Sequence, residues 1–172
     1  MSENISTEMD EVDRQLLTIL QRDGKTTISD MSKAVGKGIS TVHSRLKRLE
    51  EEGVIKRYTA VVDAKKMGRP TLGFILVRVR YRIPGKTEMV SQRDFCKEIS
   101  LHPFVQEVHV VSGEWDVLLK VRTPGVEEMN SFIVDFLREI PSVDRTITMF
   151  SMDTYLETTE LRPMTDVAYE KH

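Results

Sequence analysis

Gly36-Lys37-Gly38-Ile39-Ser40-Thr41-Val42-His43-Ser44-Arg45-Leu46-Lys47-Arg48-Leu49-Glu50 reads as a short amphipathic helix behind a glycine turn. Wound at about 100° per residue, Ile39, Val42, Leu46 and Leu49 form one apolar stripe, while Ser40, Thr41, Ser44, Lys47 and Arg48 point the other way. An apolar back with a front of hydroxyls and cations suits a major groove. Because another short apolar-patterned segment precedes the turn, the spacing predicts the second helix of a helix-turn-helix.

Upstream, residues 10–22 carry Val12, Leu16, Ile19 and Leu20 at helical spacing, acids in the first turn and Gly24 just past the end. Residues 27–35 form the next predicted helix, with Thr27 as N-cap and Ile28, Met31 and Val35 inward. Gly36 and Gly38 make the turn. Downstream, Gly53 suits a left-handed helix end, and residues 54–62, rich in Val and Tyr, are expected to be β. Residues 1–62 are therefore read as a winged helix-turn-helix domain.

Residues 63–71, beginning Asp-Ala-Lys-Lys-Met-Gly-Arg-Pro, read as a hinge. Beyond it the pattern alternates. Strands are expected at 72–82, 105–111, 114–121 and 143–152, with helices over 84–100 and from Pro124 onward. Inward positions are Met89, Cys96 and Ile99 on the first helix, and Val126, Met129, Ile133, Phe136 or Leu137, and Ile140 on the second. The order βαββαβ predicts an α+β fold, a ferredoxin-like sheet with helices on one face, over residues 72–160. A polar tail, 161–172, follows. An antiparallel sheet apolar on both faces needs cover, and a second copy of the chain supplies it.

Composition narrows the classes. Of 172 residues, 40% are apolar and 30% charged, as in a globular rather than a disordered protein. No apolar run reaches the roughly 18 to 20 residues that span a bilayer, and the acidic N-terminus lacks a signal-peptide layout, so no membrane partner and a cytoplasmic location are expected. One cysteine, Cys96, and four histidines without i, i+4 pairing imply no disulfide framework, no metal and no cofactor. No nucleophile, base and orienting residue form a recognisable motif, which argues against an enzyme. The net charge is −2, yet between Asp30 and Glu50 the basic residues Lys33, Lys37, Arg45, Lys47 and Arg48 occur without an acid among them. Distribution matters more than the sum.

On this reading double-stranded DNA is the partner. Lys33, Lys47 and Arg48 are expected at phosphates, with Lys56 and Arg57 reaching the backbone from the wing. Ser40, Thr41 and Ser44 lie near the helix start, where side chains meet base edges. Two residues keep two readings: Arg45 is a bidentate guanine contact or an internal ion pair, and His43 is a base reader or a plain surface histidine.

In this order and spacing the residues resemble the Lrp/AsnC family of prokaryotic transcription regulators. The matching segments are Met9-Asp10-Glu11-Val12-Asp13-Arg14-Gln15-Leu16-Leu17, Leu20-Gln21-Arg22-Asp23-Gly24-Lys25, Arg45-Leu46-Lys47-Arg48-Leu49-Glu50-Glu51-Glu52-Gly53-Val54-Ile55 and Tyr58-Thr59-Ala60-Val61-Val62-Asp63, followed by Val111-Ser112-Gly113-Glu114-Trp115-Asp116 and Ile140-Pro141-Ser142-Val143-Asp144-Arg145-Thr146-Ile147-Thr148. Two departures stand out. Where the family usually has Leu-Ser before the recognition helix, this chain has Lys37-Gly38, and residues 83–102 are about a turn longer than the usual first sensor helix.

The resemblance implies a homodimer that assembles further, to an octamer for instance, and a free amino acid as effector at the 111–116 hairpin. Glu114 and Asp116 are two apart on a predicted strand and so share a face. Asp116 is the candidate partner of the ligand's ammonium, Ser112 and Gly113 supply backbone groups, and Thr146 and Thr148 contribute from a neighbouring subunit. For Glu114 a solvated hairpin charge is the plainer reading. The expected function is a sequence-specific regulator responsive to an amino acid; the alternative is an architectural protein that wraps DNA with little sequence preference.

Overall fold

A computed structural model describes residues 9–83, 85 and 89–161. Helices α1 (Glu11–Arg22), α2 (Ile28–Val35) and α3 (Ile39–Glu51) come first; then β1 (Thr71–Val79), α4 (Gln92–Ser100), β2 (Val105–Val110), β3 (Val117–Thr123), α5 (Val126–Ser131) and β4 (Val143–Phe150). Between α5 and β4 the helix relaxes into a π turn, Phe132–Phe136, and a 3-10 turn, Leu137–Glu139. Two compact units result. Among the described residues, one comprises 9–61 together with 156–161; the other is Val62–Tyr155.

In the first unit local chemistry sets each helix end. Asp10 caps α1 through a reciprocal box, its carboxylate accepting from the Asp13 amide at 2.9 Å and its own amide donating to Asp13 at 3.2 Å. Thr27 caps α2, which stops at Gly36, whose φ of 64° is a backbone conformation that other residues rarely adopt. Gly38 begins α3 without any side-chain cap. Leu16, Met31, Val42 and Leu46 are buried between the helices. Ile39 departs from the expected stripe, being 58% exposed in the first turn of α3.

The β-element expected over residues 54–62 is absent: residues 56–62 carry no strand. A β-rich composition makes a strand only beside another strand's free edge, and the described elements of this unit are helices. The tail also differs. Instead of ending the second domain at 160, the chain leaves it after Tyr155 and returns to α1, where the Gln21 amide group donates to the Leu161 carbonyl at 3.2 Å and accepts from its N–H at 2.8 Å. Glu160 lies 3.7 Å from Arg22 in the same contact. Residues 162–172 of the expected tail lie outside the described residues.

The second unit is a four-stranded antiparallel sheet in the order β2-β3-β1-β4, the ferredoxin-like arrangement. Ile75, Val77, Val117, Leu119 and Val121 face α4 and α5 and pack on Phe95, Ile99, Met129 and Leu137. Three expectations shift. Helix α4 starts at the Ser91 cap rather than at 84, and Arg82 and Met89 pair in a β-bridge ahead of it; Pro84 itself lies outside the described residues. Met89 is consequently off the helix and 67% exposed. Val126, expected inward, is also exposed.

Among the described residues of this unit, no helix packs on the opposite sheet face. Phe74, Leu76, Leu118, Ile147 and Met149 share it, since Leu76 pairs with both Leu118 and Ile147 and Phe74 with Met149. Ile147 and Met149 are 44% and 46% exposed.

Candidate nucleic-acid interface and effector hairpin

Of the expected reading residues, Ser40, Thr41 and Ser44 line one edge of α3. Ser40, Thr41, His43 and Ser44 are exposed, and Lys47 forms an ion pair with Glu51 at 3.6 Å in open solvent. Lys33 similarly meets Asp30 at 3.5 Å on the surface. Such pairs hold weakly, so both ammonium groups remain free to exchange onto phosphate. Lys56 and Arg57 follow α3 on exposed chain. Beside them Tyr58 donates to Glu50 at 2.7 Å, and burial followed by the carboxylate pushes its phenol up to about 12. His43 lies apart from Thr41 and Ser44, on a cleft of about 510 Å³ that it shares with Leu46, Lys47 and Tyr58.

The two arginines behave differently from the lysines. Arg45 Nη1 donates to Asp10 Oδ2 at 2.6 Å and to Asp13 Oδ1 at 2.9 Å, while Arg48 Nη2 donates to Asp13 Oδ2 at 2.5 Å. Asp13 is 1% exposed. Of the two readings of Arg45, the structure contains the internal ion pair. Arg48, expected at phosphate, is turned onto the same acid. The Asp10 carboxyl is held below the ordinary carboxylate range, first by the Asp13 amide and then by Arg45, and the hydrogen bonds to the acids raise both arginines.

Asp10 and Asp13 are site residues that the sequence reading missed. A signal existed: Asp13 stands three residues before buried Leu16 and seven before Leu20, on the inward stripe of α1. An acid there needs a buried partner. Arg45 and Arg48, three apart on α3, are that partner.

The effector hairpin is wider than expected. Strand β3 begins at Val117, and the Val111 amide bonds the Asp116 carbonyl at 3.0 Å, leaving 112–115 as the loop; Gly113 takes φ 122°. Glu114 is exposed on this loop, so it does not share a strand face with Asp116. Asp116 continues the sheet where β1 outruns β3: its amide donates to the Val77 carbonyl at 3.1 Å, and its carboxylate accepts from the Val79 amide at 2.8 Å and the Tyr81 hydroxyl at 2.7 Å. That bond is the first cause raising the Tyr81 phenol. Tyr81 is a further partner that the sequence reading missed.

Thr146 and Thr148 stand opposite Val77 and Ile75 on β4, half-buried on the helix-covered side. Strand β1 separates them from β3, about 10 Å or two strand spacings away. Within one chain, therefore, the threonines and the hairpin carboxylates do not converge. Among the described residues no group of three His, Cys, Asp or Glu is placed to hold a metal ion, and no helix is long and apolar enough to cross a membrane.

Residues 74–161 match the Lrp/AsnC ligand binding domain, and residues 9–56 match a winged helix-turn-helix DNA-binding domain. The HTH-type transcriptional regulator FL11 of Pyrococcus horikoshii is 39% identical over 153 residues, 89% of this chain and 95% of that protein. Among solved structures, an AsnC family transcriptional regulator from Agrobacterium tumefaciens superposes with a TM-score of 0.80 at 29% identity, covering 91% of this chain and 98% of that one. A transcriptional regulator from Neisseria meningitidis, solved as a complex with L-Met, gives 0.80 at 26% identity over 89% of this chain and 96% of its own.

Proposed function

Because the chain belongs to the Lrp/AsnC family of transcriptional regulators, we propose that it binds operator DNA sequence-specifically, as a dimer or higher oligomer, and answers to a free amino acid. The observation that carries this reading is the exposed edge of α3, where Ser40, Thr41 and Ser44 stand beside Lys47. Hydroxyls near a helix start accept from and donate to base edges, and lysines there hold phosphates. Lys33, Lys56 and Arg57 extend the phosphate contacts. Arg45 and Arg48 serve the site from behind. The place of action is the compartment that holds the DNA, the cytoplasm of a prokaryotic cell.

Dimerisation follows from the uncovered sheet face. Phe74, Leu76, Leu118, Ile147 and Met149 form an apolar stripe that water would otherwise cover, and a two-fold copy would bury it while presenting two recognition helices to a palindromic site. Further assembly, to an octamer for instance, would bring Thr146 and Thr148 of one subunit towards the 111–116 hairpin of another. The Neisseria relative's complex with L-Met supports an amino acid as effector. Asp116 has spent two of its roughly four acceptor positions within the chain, and the others are open to a ligand ammonium alongside Ser112, Gly113 and Glu114.

Selection of bound fragments from genomic DNA, with and without a pool of amino acids, tests both halves of the proposal. The expected result is an enriched, roughly palindromic sequence whose recovery changes with one amino acid. Affinity for that sequence no greater than for random duplex, at the same salt, would replace regulation with DNA wrapping.

A further inference from the structure

Thr41, Ser44, Arg45 and Arg48 occupy one stripe of α3, related by three and four residues, and they line an open cleft of about 490 Å³ whose remaining walls are Asp10 and Asp13 of α1. The hydroxyls face outward from this stripe. The guanidinium groups close on α1, with Arg45 bridging both acids and Arg48 on the buried one. Asp13 is tied in turn to the start of its own helix, since its carboxylate accepts from the Asp10 amide and its amide donates to the Asp10 carboxylate.

We propose that Asp13, with Asp10, is the positioning residue of the recognition helix: it holds Arg45 and Arg48 away from the phosphates and thereby fixes the rotation of α3 that presents Thr41 and Ser44 to base edges. The inference rests on the reading of α3 as a duplex reader. Apolar contact alone leaves a helix free to roll about its axis by small amounts, because hydrophobic burial is non-directional; charge-assisted hydrogen bonds from two guanidinium groups to a fixed carboxylate are directional and resist that roll. The guanidinium groups are half-buried or nearly so, 25% and 40% exposed for the side chains of Arg45 and Arg48, whereas Lys47 is 66% exposed. Phosphate contact therefore falls to the lysines and geometry to the arginines.

The test uses the full chain, a labelled mixed-sequence duplex, and a duplex carrying the sequence that the wild-type protein selects from random DNA. Affinities for both are followed as salt is raised. Lys47→Gln is expected to lower the slope of log affinity against log salt by about 1. Arg48→Gln leaves that slope unchanged. Asp13→Asn and Asp10→Ser, the latter keeping a helix-capping oxygen, leave the slope unchanged while lowering the ratio of selected to mixed-sequence affinity about tenfold for Asp13→Asn, and less for Asp10→Ser. A smaller folded fraction weakens both duplexes equally and leaves the ratio alone, so the ratio reports positioning.

A slope that falls by one in Arg48→Gln, or one that rises in Asp10→Ser or Asp13→Asn because freed arginines reach phosphates, overturns the proposal, as does an unchanged ratio in folded Asp13→Asn. Should Asp13→Asn not fold, Asp10→Ser and Arg48→Gln decide. A wild-type ratio near one removes sequence-specific reading alone, and the slopes then judge the clamp. Wild-type protein that binds no duplex at low salt removes the functional reading and the clamp together.

Discussion

The two units of this chain solve the same problem with different forces. In the sheet unit, twelve buried apolar residues from Ile75 to Ile140 form one continuous core between strands and helices. In the helical unit the buried cluster among the described residues is the smaller set Leu16, Met31, Val42 and Leu46, with Leu49 also buried, and the buried carboxylate of Asp13 holds two guanidinium partners. Apolar burial scales with area and accepts many arrangements; an ion pair taken out of water stabilises only in good geometry and fails if one partner is missing. The sheet unit is thus built for strength, and the helical unit trades strength for a defined orientation of one helix.

Leu119→Ala probes the sheet unit hardest. Leu119 is fully buried and pairs with Ile75 on one side and Val108 on the other, at the middle of the sheet. Truncation is expected to cost about 2–5 kcal/mol through lost burial and the cavity left behind. Residue-level hydrogen exchange under mild urea should show the loss in the amides of β1 and β3, with nearly the same size at low and high salt. A loss that varies strongly with ionic strength would show that charge matters in this core as well, and the contrast would fail.

Acid is expected to have a smaller and opposite selectivity. The folded helical unit depresses the Asp10 carboxyl, so its stabilising contribution is present above the carboxyl's unfolded value and disappears as pH falls through the lower folded value. In the sheet unit Glu107 is depressed too, by His109 and then Lys120, but those groups lie on the exposed strand β2 and its neighbour, outside the apolar core. On acidification from about pH 6 to below the usual carboxylate range near 4, exchange protection should fall in α1 and α3 before it falls in β1 and β3. Simultaneous loss, or loss from the sheet first, would break the comparison at its ionic side.

How far the sequence disclosed all this depends on the distance over which each signal acts. Thr27 and Gly36 were legible because a cap needs partners only three or four residues away, whereas Asp10 was read as part of the first helix and not as its cap. Four strands and the ferredoxin-like order were legible from alternation. The start of α4 was misread although Ser91 and Asp94 stand in capping register, because Pro84 carries an equally good first-turn signal and the β-bridge from Arg82 to Met89 decides against it. Residues 54–62 have strand composition, but composition does not say whether an edge waits for them. The clamp joins residues 32 and 35 apart, and the tail contact joins residues 140 apart through one glutamine. No local pattern contains such pairings. Asp116 was found by resemblance, while its partner Tyr81, on another segment, was found only in three dimensions.

The finest test concerns the one uncapped helix of the reader. Asp10 and Thr27 each satisfy an amide at the start of α1 and α2, whereas Gly38 leaves the first amides of α3 without a side-chain acceptor. Gly38 already has φ −62° and ψ 150°, a conformation open to serine, and a Cβ there would meet Thr41 Oγ1 at 3.8 Å, an ordinary contact. The Thr41 amide stands where the Asp30 amide stands relative to Thr27, so a serine oxygen at 38 would accept from it. Gly38→Ser should therefore stabilise the helical unit by a few tenths of a kcal/mol and slow exchange of the Thr41 amide, with no change in the sheet unit. If the variant is no more stable, the start of α3 is set by the Arg45 and Arg48 contacts to α1 rather than by local capping, and the contrast between directional and non-directional forces becomes sharper still.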